Sequence, residues 1–184
     1  AITATTLFAL PAAAADWKLD ASHSHVGFEV KHMAISKVKG SFGDFTGTVT
    51  GEDGKPETFN VELTIQAASV DTKNEDRDNH LRNADFFDVE KFPTMTFKST
   101  KVEMDGDEGT LTGEFTLHGV TKTIELELEY LGLVNDPWGN TRMGFSAEGK
   151  IDRRDYGLTW SKALETGGLV VALEVEIERE IAVV

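Results

Sequence analysis

The 184-residue sequence contains no cysteine. Disulfides, thiolate metal sites, CxxC redox pairs and cysteine nucleophiles are therefore excluded. Positive charge is also scarce, because 18 lysines and arginines face 32 aspartates and glutamates, and the net charge is −14. Such an acidic chain lacks the basic surface that binds nucleic-acid phosphates, and anionic lipid surfaces should repel it. We therefore expect no nucleic-acid partner.

Long apolar runs are missing as well. No segment approaches the ~20 apolar residues that span a bilayer, so we expect no stable membrane insertion. The first fifteen residues carry no charge, and Ala13-x-Ala15 fits a signal-peptidase site. We interpret residues 1–15 as a truncated signal peptide, with a disordered alanine-rich tail as the alternative, and residues 16–184 as one domain. This interpretation predicts a periplasmic protein.

Apolar and polar residues alternate with a period of two along most of the remaining chain, with turn signals between the runs. Eight such runs are predicted to be strands, near residues 26–32, 42–45, 59–65, 95–97, 111–117, 124–130, 143–147 and 169–177. Strands that are apolar on one face must bury that face, and almost no helix is available to cover it. Because closure removes exposed edges, we predict an all-β fold, an eight-stranded antiparallel β-barrel with one short helical insert.

The insert is predicted between residues 71 and 89. Thr72-x-x-Glu75 has the form of a helix capping box, and Asp78 and Arg82 are spaced four apart as in an exposed helix. Its dense functional groups, Arg77, Asp78 and His80, are candidates to meet a polar head group at a barrel mouth. The alternative is that they form structural ion pairs that hold the helix on the barrel.

Residues that face inward by strand parity are the candidate ligand-binding set. Its members are Phe28, Val30, His32, Phe42, Leu63, Ile65, Phe97, Phe115, Leu117, Leu126, Phe145 and Leu173. The apolar members would line a cavity or, alternatively, simply fill the barrel. His32 could hydrogen-bond a ligand head group or be a satisfied core histidine.

Catalytic and metal-binding patterns are absent. The sequence has no GxSxG elbow, no HExxH pair and no EF-hand spacing. His23 and His25 share one face of an extended strand, whereas His32 has the opposite parity, so the three cannot converge without a bulge. We therefore predict no enzymatic activity, no metal and no cofactor other than a bound ligand.

Several motifs resemble the YceI-like family of polyisoprenoid-binding, lipocalin-like barrels. They lie in WKLDASHSHVGFEVKHMAISKVKGSFGDFTG (17–47), in the central segment from Asp71-Thr72 to Ser99, in LTGEFTLHGVTKTIELEL (111–128) and in IDRRDYGL (151–158). Thr123 stands where many relatives carry proline. The resemblance implies a periplasmic or secreted protein that encloses a long isoprenoid tail, such as a polyprenyl lipid or an isoprenoid quinone.

Two functional classes stay open at this point. The first is non-catalytic binding or carriage of a long-chain polyisoprenoid lipid inside the barrel. The second is a filled-core barrel that acts as a stress-related protein-interaction module without a dedicated ligand. A continuous apolar void in the interior would favour the first class. An exposed edge or an apolar rim could support a homodimer.

Overall fold

The computed structural model describes residues 15–33, 35–161 and 171–184. The predicted signal peptide falls on residues that lie almost wholly outside this range, as does most of the loop expected after Tyr156. In chain order, the elements are β1 Ala15–Lys18, β2 His25–His32, β3 Ser36–Phe42, β4 Phe45–Gly51, β5 Asn60–Gln66, β6 Val70–Asp71, α1 Glu75–Arg82, β7 Thr94–Asp105, β8 Glu108–Leu117, β9 Val120–Asn135, β10 Thr141–Asp152 and β11 Val171–Val183.

All eleven strands form one curled antiparallel sheet in the order β1-β4-β5-β7-β8-β9-β10-β11-β2-β3-β6. The sheet curls so that β1 reaches the end of β11. Lys18 and Val184 exchange two backbone hydrogen bonds of 3.0 and 2.9 Å, and the amide of Asp20 donates to the carbonyl of Ala182 at 2.8 Å. These bonds close the curled sheet at one end and confirm the all-β, antiparallel, barrel-like class.

The strand count differs from the predicted eight. The run around Phe42 and Phe45 is two strands, because the chain turns a corner at Gly43-Asp44 and β3 and β4 pair with different neighbours. The two further strands, β1 and β6, have four and two residues, which is too short for an alternating pattern to show. Gly43 therefore lies at the corner between β3 and β4.

Strand β8 shows how alternation builds the interior. Leu111, Gly113, Phe115 and Leu117 are buried, whereas Thr112, Glu114 and Thr116 face outward. The hairpin to β9 turns at His118 and Gly119, with φ angles of 52° and 74°. Two successive positive φ values are the geometry of a type I′ turn, which matches the twist of the strands.

The helical insert is present, but its cap differs from the predicted one. Asn74 is the N-cap, and its side-chain oxygen accepts a hydrogen bond from the amide of Arg77 at 2.9 Å. Thr72 lies before the helix, and its amide and hydroxyl both donate to the buried carboxylate of Asp78. Because Asp78 is occupied in this way, it forms no pair with Arg82, whose guanidinium donates instead to the carbonyls of Ala68 and Val70.

Strands β9 and β10 continue into a hairpin arm, defined as residues 131–140. Leu131, Leu133, Val134 and Trp138 are exposed on it, with Trp138 81% exposed. The arm is fixed at its base by Arg142, which bridges the carboxylates of Asp136 and Asp20. Among the described residues, no helix is long and apolar enough to cross a membrane.

Candidate functional site

The interior contains two adjoining apolar cavities. The first chamber has Phe59, Leu63, Phe97, Phe145 and Ala147 among its walls. The space open to the centre of a water-sized sphere is about 50 Å³, within a region of about 640 Å³ of empty space. Almost no polar surface lines it, so it is suited to apolar chemistry.

The second chamber is the larger of the two. Its walls include Phe28, Phe42 and Phe115 from the barrel, together with Leu81 and Phe87 from the helical insert. The corresponding volumes are about 100 Å³ and 740 Å³. Helix α1 and the chain after it therefore form one wall of this chamber, and the insert is not a separate surface element.

One side chain, Arg179, lines both chambers. It is 4% exposed, and its Cζ lies 5.2 Å from the ring centroid of Phe97 and 5.6 Å from that of Phe115. Gly113 makes room for this packing, because a Cβ there would lie 2.4 Å from the Phe97 ring. The lumen is thus two short apolar chambers that meet at a buried guanidinium, and not one continuous void.

Burial lowers the pKa of Arg179 to about 10, so the side chain stays positively charged at neutral pH. Its Nε has no hydrogen-bond partner, and it takes part in no salt bridge with a described residue. The hydroxyl of Tyr156, whose ring packs on Phe115 at 5.6 Å between centroids, is also buried without a partner. Burial, followed by the charge of Asp155, raises the pKa of Tyr156 to about 12.

A second buried arginine, Arg153, borders the second chamber and is satisfied by the backbone. Its Nε donates to the carbonyl of Ala172 at 2.9 Å, and its terminal nitrogens donate to the carbonyls of Leu158 and Val171. These three carbonyls come from the turn after β10 and from the start of β11. Arg153 therefore joins two segments that the sheet does not pair.

The structure places most of the candidate ligand-binding residues on chamber walls. The first chamber has Leu63, Phe97 and Phe145, and the second has Phe28, Val30, Phe42, Ile65, Phe115 and Leu117. Three candidates line neither chamber. Leu126 is buried in the core, whereas His32 and Leu173 are half-buried near the start of β11, where the pairing with β2 shifts register between Val171 and Val175. Contact with a ligand stays a prediction for the whole set.

The predicted head-group residues on α1 contact the protein itself. Asp78 accepts from Thr72, and the guanidinium of Arg77 donates to the hydroxyl and carbonyl of Thr72. Nε2 of His80 donates to the carboxylate of Asp85 at 2.9 Å, and the imidazole ring packs between aromatic neighbours. None of the three lines either chamber. Their partners lie within the insert itself, and a head-group role for these residues stays a prediction.

Arg179 and Arg153 were missed as candidates, and the sequence carries a signal for the first. The alternation predicted for the last strand ends at Ile177, with Glu174, Glu176 and Glu178 outward. Two more residues in the same register put Arg179 on the inner face, which is where it lies. No comparable pattern marks Arg153, because it lies in a short 3₁₀ turn.

Within the described residues, no group of histidines and carboxylates is arranged to hold a metal ion. The homodimer stays a prediction, and the exposed apolar side chains of the hairpin arm are the surface that could serve it.

Residues 17–183 match the model of the YceI-like domain family. The chain is 46% identical over 149 residues to Protein YceI of Escherichia coli O157:H7, which covers 80% of this chain and 78% of the relative. Protein YceI of Salmonella newport is also 46% identical, over 150 residues, with the same shares of each chain.

Solved structures share the fold. The YCEI protein of Campylobacter jejuni superposes with a TM-score of 0.66 at 35% identity, over 95% of this chain and 97% of its own. Burkholderia cenocepacia BcnA gives a TM-score of 0.76 at 22% identity, over 89% and 98%. A polyisoprenoid binding domain from Saccharophagus degradans gives 0.65 at 18% identity, over 91% and 97%. At these lower identities, the last two likenesses show the fold alone.

Proposed function

The chain belongs to the YceI-like family, and from this premise we propose that it is a non-catalytic protein that binds a polyisoprenoid lipid inside its barrel. The observation that carries the proposal is the pair of apolar chambers. Enclosing a prenyl chain there removes apolar surface from water, which yields ~25 cal/mol per Å². Methyl-branched isoprene units need shape and apolar contact, and the aromatic and aliphatic walls offer both.

The comparisons support lipid binding in general. One structural neighbour is described as a polyisoprenoid binding domain, and this description belongs to that domain. Its application to this chain, the choice between a polyprenyl lipid and an isoprenoid quinone, and the carriage of that lipid are parts of the proposal. The supporting observation in this chain is the lining of the chambers, which is almost free of polar atoms.

A long prenyl chain needs more space than the chambers offer as they stand. An engineered dry cavity of about 150 Å³ holds a single benzene molecule, and the two chambers together are of that order. Loading therefore requires the chambers to widen. We propose that the helical insert is the wall that moves, because Leu81 and Phe87 enter the second chamber from it and the side chain of Arg82 joins it to the carbonyls of Ala68 and Val70.

The narrow chambers also favour a second candidate function, a filled-core barrel that acts as a stress-related protein-interaction module. In that case the voids are packing defects and no lipid is needed. The two candidates differ in a measurable way, because only the first predicts a stoichiometric lipid.

Native mass spectrometry of protein purified from a bacterial periplasm, combined with organic extraction, tests the proposal. We expect a co-purifying prenyl species near one per chain, released by extraction and taken up again on incubation. The same preparation of an unrelated periplasmic protein is the control for adsorbed lipid. A mass equal to the bare polypeptide, with no gain after incubation with polyprenyl lipids or quinones, would reject lipid binding and favour the interaction module.

We also propose that the protein works in the periplasm. The supporting feature is the uncharged segment 1–15 with its Ala13-x-Ala15 site. Cell fractionation tests this proposal with two versions of the full precursor that differ only at Ala13 and Ala15, with large charged residues in the second version. We expect cleavage and periplasmic recovery of the first version only; equal recovery of both would reject the cleavage site.

A further inference from the structure

Arg179 has hydrogen-bonding capacity that the described protein leaves unused. The side chain is 4% exposed and lines both chambers. A buried polar group without a partner is costly, and a buried charge without one is costlier still. An unsatisfied cation at the centre of an apolar lumen therefore requires an explanation.

The aromatic neighbours stabilise the charge but not the N–H groups. The guanidinium carbon lies over the rings of Phe97 and Phe115 at 5.2 and 5.6 Å. A cation–π contact offers no lone pair to an N–H group, and the guanidinium has five N–H donors. Nε has no hydrogen-bond partner, and the Arg179 side chain lines both chambers.

Two further observations indicate that a ligand supplies the missing acceptor. The hydroxyl of Tyr156, whose ring packs on Phe115, is another buried donor without a partner. By contrast, Arg153 finds three carbonyl acceptors in the same barrel. The fold can therefore satisfy a buried arginine, whereas no described residue accepts from Nε of Arg179.

We propose that Arg179 binds an acceptor oxygen of the lipid, so that the oxygen-bearing group of the ligand lies where the two chambers meet and its apolar chain occupies the chambers. This inference rests on the proposed lipid binding and specifies its ligand as an amphiphile and not a plain hydrocarbon. The shared chemistry is an oxygen that accepts from a guanidinium. A ring carbonyl of an isoprenoid quinone and a phosphate oxygen of a polyprenyl phosphate both supply it.

The test compares three probes of matched prenyl length by titration under native mass spectrometry: a prenyl benzoquinone, a prenyl monophosphate and the parent prenyl hydrocarbon. Wild-type protein is compared with Arg179→Met, which keeps length and apolar volume and removes every donor. The matched control is Arg154→Met, which makes the same change in net charge at an exposed arginine outside the chambers. Arg179→Lys, which keeps the charge but loses the planar fork, is a second variant in case the methionine variant does not fold.

We expect wild-type protein and Arg154→Met to prefer an oxygen-bearing probe over the hydrocarbon by about tenfold or more, as for a hydrogen bond to a charged group. Arg179→Met should lose this preference while it still binds the hydrocarbon. Preference for the quinone or for the phosphate identifies the source of the oxygen. Arg179→Lys should keep more preference for the phosphate than for the quinone, because an ammonium acts as a point charge.

The two failures can be told apart. If no probe binds, including the hydrocarbon, the proposed lipid binding fails and this inference fails with it. If all probes bind and the preference is the same in wild-type protein and in both Arg179 variants, lipid binding stands and the role of Arg179 is overturned.

Discussion

Arg153 and Arg179 lie in the same lumen and are almost equally buried, at 3% and 4% exposed, yet their surroundings differ. Arg153 reaches three backbone carbonyls, one after the turn that follows β10 and two in the first residues of β11. Arg179 lies in the middle of regular strand, where neighbouring carbonyls are engaged in the ladder and aromatic rings surround the guanidinium. A buried arginine therefore stabilises the fold only where hydrogen-bond acceptors are available to it, and burial alone does not show that it does.

The largest effect is expected at Arg153. Substitution by methionine removes the donors and leaves three carbonyls short of a partner, so the free energy of unfolding should fall by about 3–4 kcal/mol. Urea denaturation followed by circular dichroism measures the change. Arg154→Met, at the next position but exposed, should stay close to wild type. Equal losses in the two variants would mean that the carbonyls are satisfied without Arg153.

At Arg179, the same substitution is expected to increase the free energy of unfolding. Replacing a buried, unpaired charge by an apolar side chain of similar length removes its desolvation cost, so Arg179→Met should raise the free energy of unfolding of the lipid-free protein by about 1–3 kcal/mol. Delipidated samples are compared by the same urea titration. A loss of stability would show that the contacts with Phe97 and Phe115 outweigh the cost of burial, and the two arginines would then be alike.

The two chambers on either side of Arg179 can be compared by filling each in turn. Val30→Phe narrows the second chamber and Ala147→Leu narrows the first. We expect the affinity for a prenyl lipid to fall by about tenfold in Val30→Phe and by about threefold in Ala147→Leu, because Val30 lines the larger chamber. Lipid titration under native mass spectrometry measures both. Wild-type affinity in both variants would contradict lipid binding in these cavities.

A third arginine, Arg142, is paired with carboxylates and gives the smallest effect. Hydrogen bonds hold the pKa of Asp20 and of Asp136 well below the ordinary value of 3.8; the largest contribution comes from Ser22 and from Asn140 respectively, followed by Arg142 for both. A carboxylate with a lowered folded-state pKa contributes stability above its unfolded value and loses it as the pH falls further. The melting temperature should therefore drop below about pH 4, and less steeply in Arg142→Met. Parallel pH profiles would exclude this pairing as a source of acid sensitivity.

Local patterns predicted much of the fold because each strand carries its own alternation. The type I′ turn at His118-Gly119 and the helix after Thr72 were likewise visible as short motifs. The cap at Asn74 was not, because Thr72 and Asn74 are both good N-caps and the choice depends on Asp78, which binds Thr72 only in the folded chain.

The candidate site was predictable only in part. The two-residue alternation predicted that Phe28, Phe97 and Phe115 line the interior, and they do. It could not predict the size or continuity of the cavity, because these depend on side-chain packing between strands far apart in sequence. The register shift in β11 displaced Leu173, since a bulge breaks the two-residue period. Arg179 was missed because an arginine within a charged run of Glu178, Arg179 and Glu180 is usually a surface residue.

The position of β11 sets the order in which this chain can fold. Strand β11, which follows all the other described strands in the chain, lies between β10 and β2 in the sheet, and the residues at its end also bond to Lys18 and Asp20. No partial chain can complete the ring, so closure waits for the C-terminus and involves contacts across nearly the full sequence, which makes folding slow. A chain with this connectivity stays open until β11 has paired with both of its neighbours.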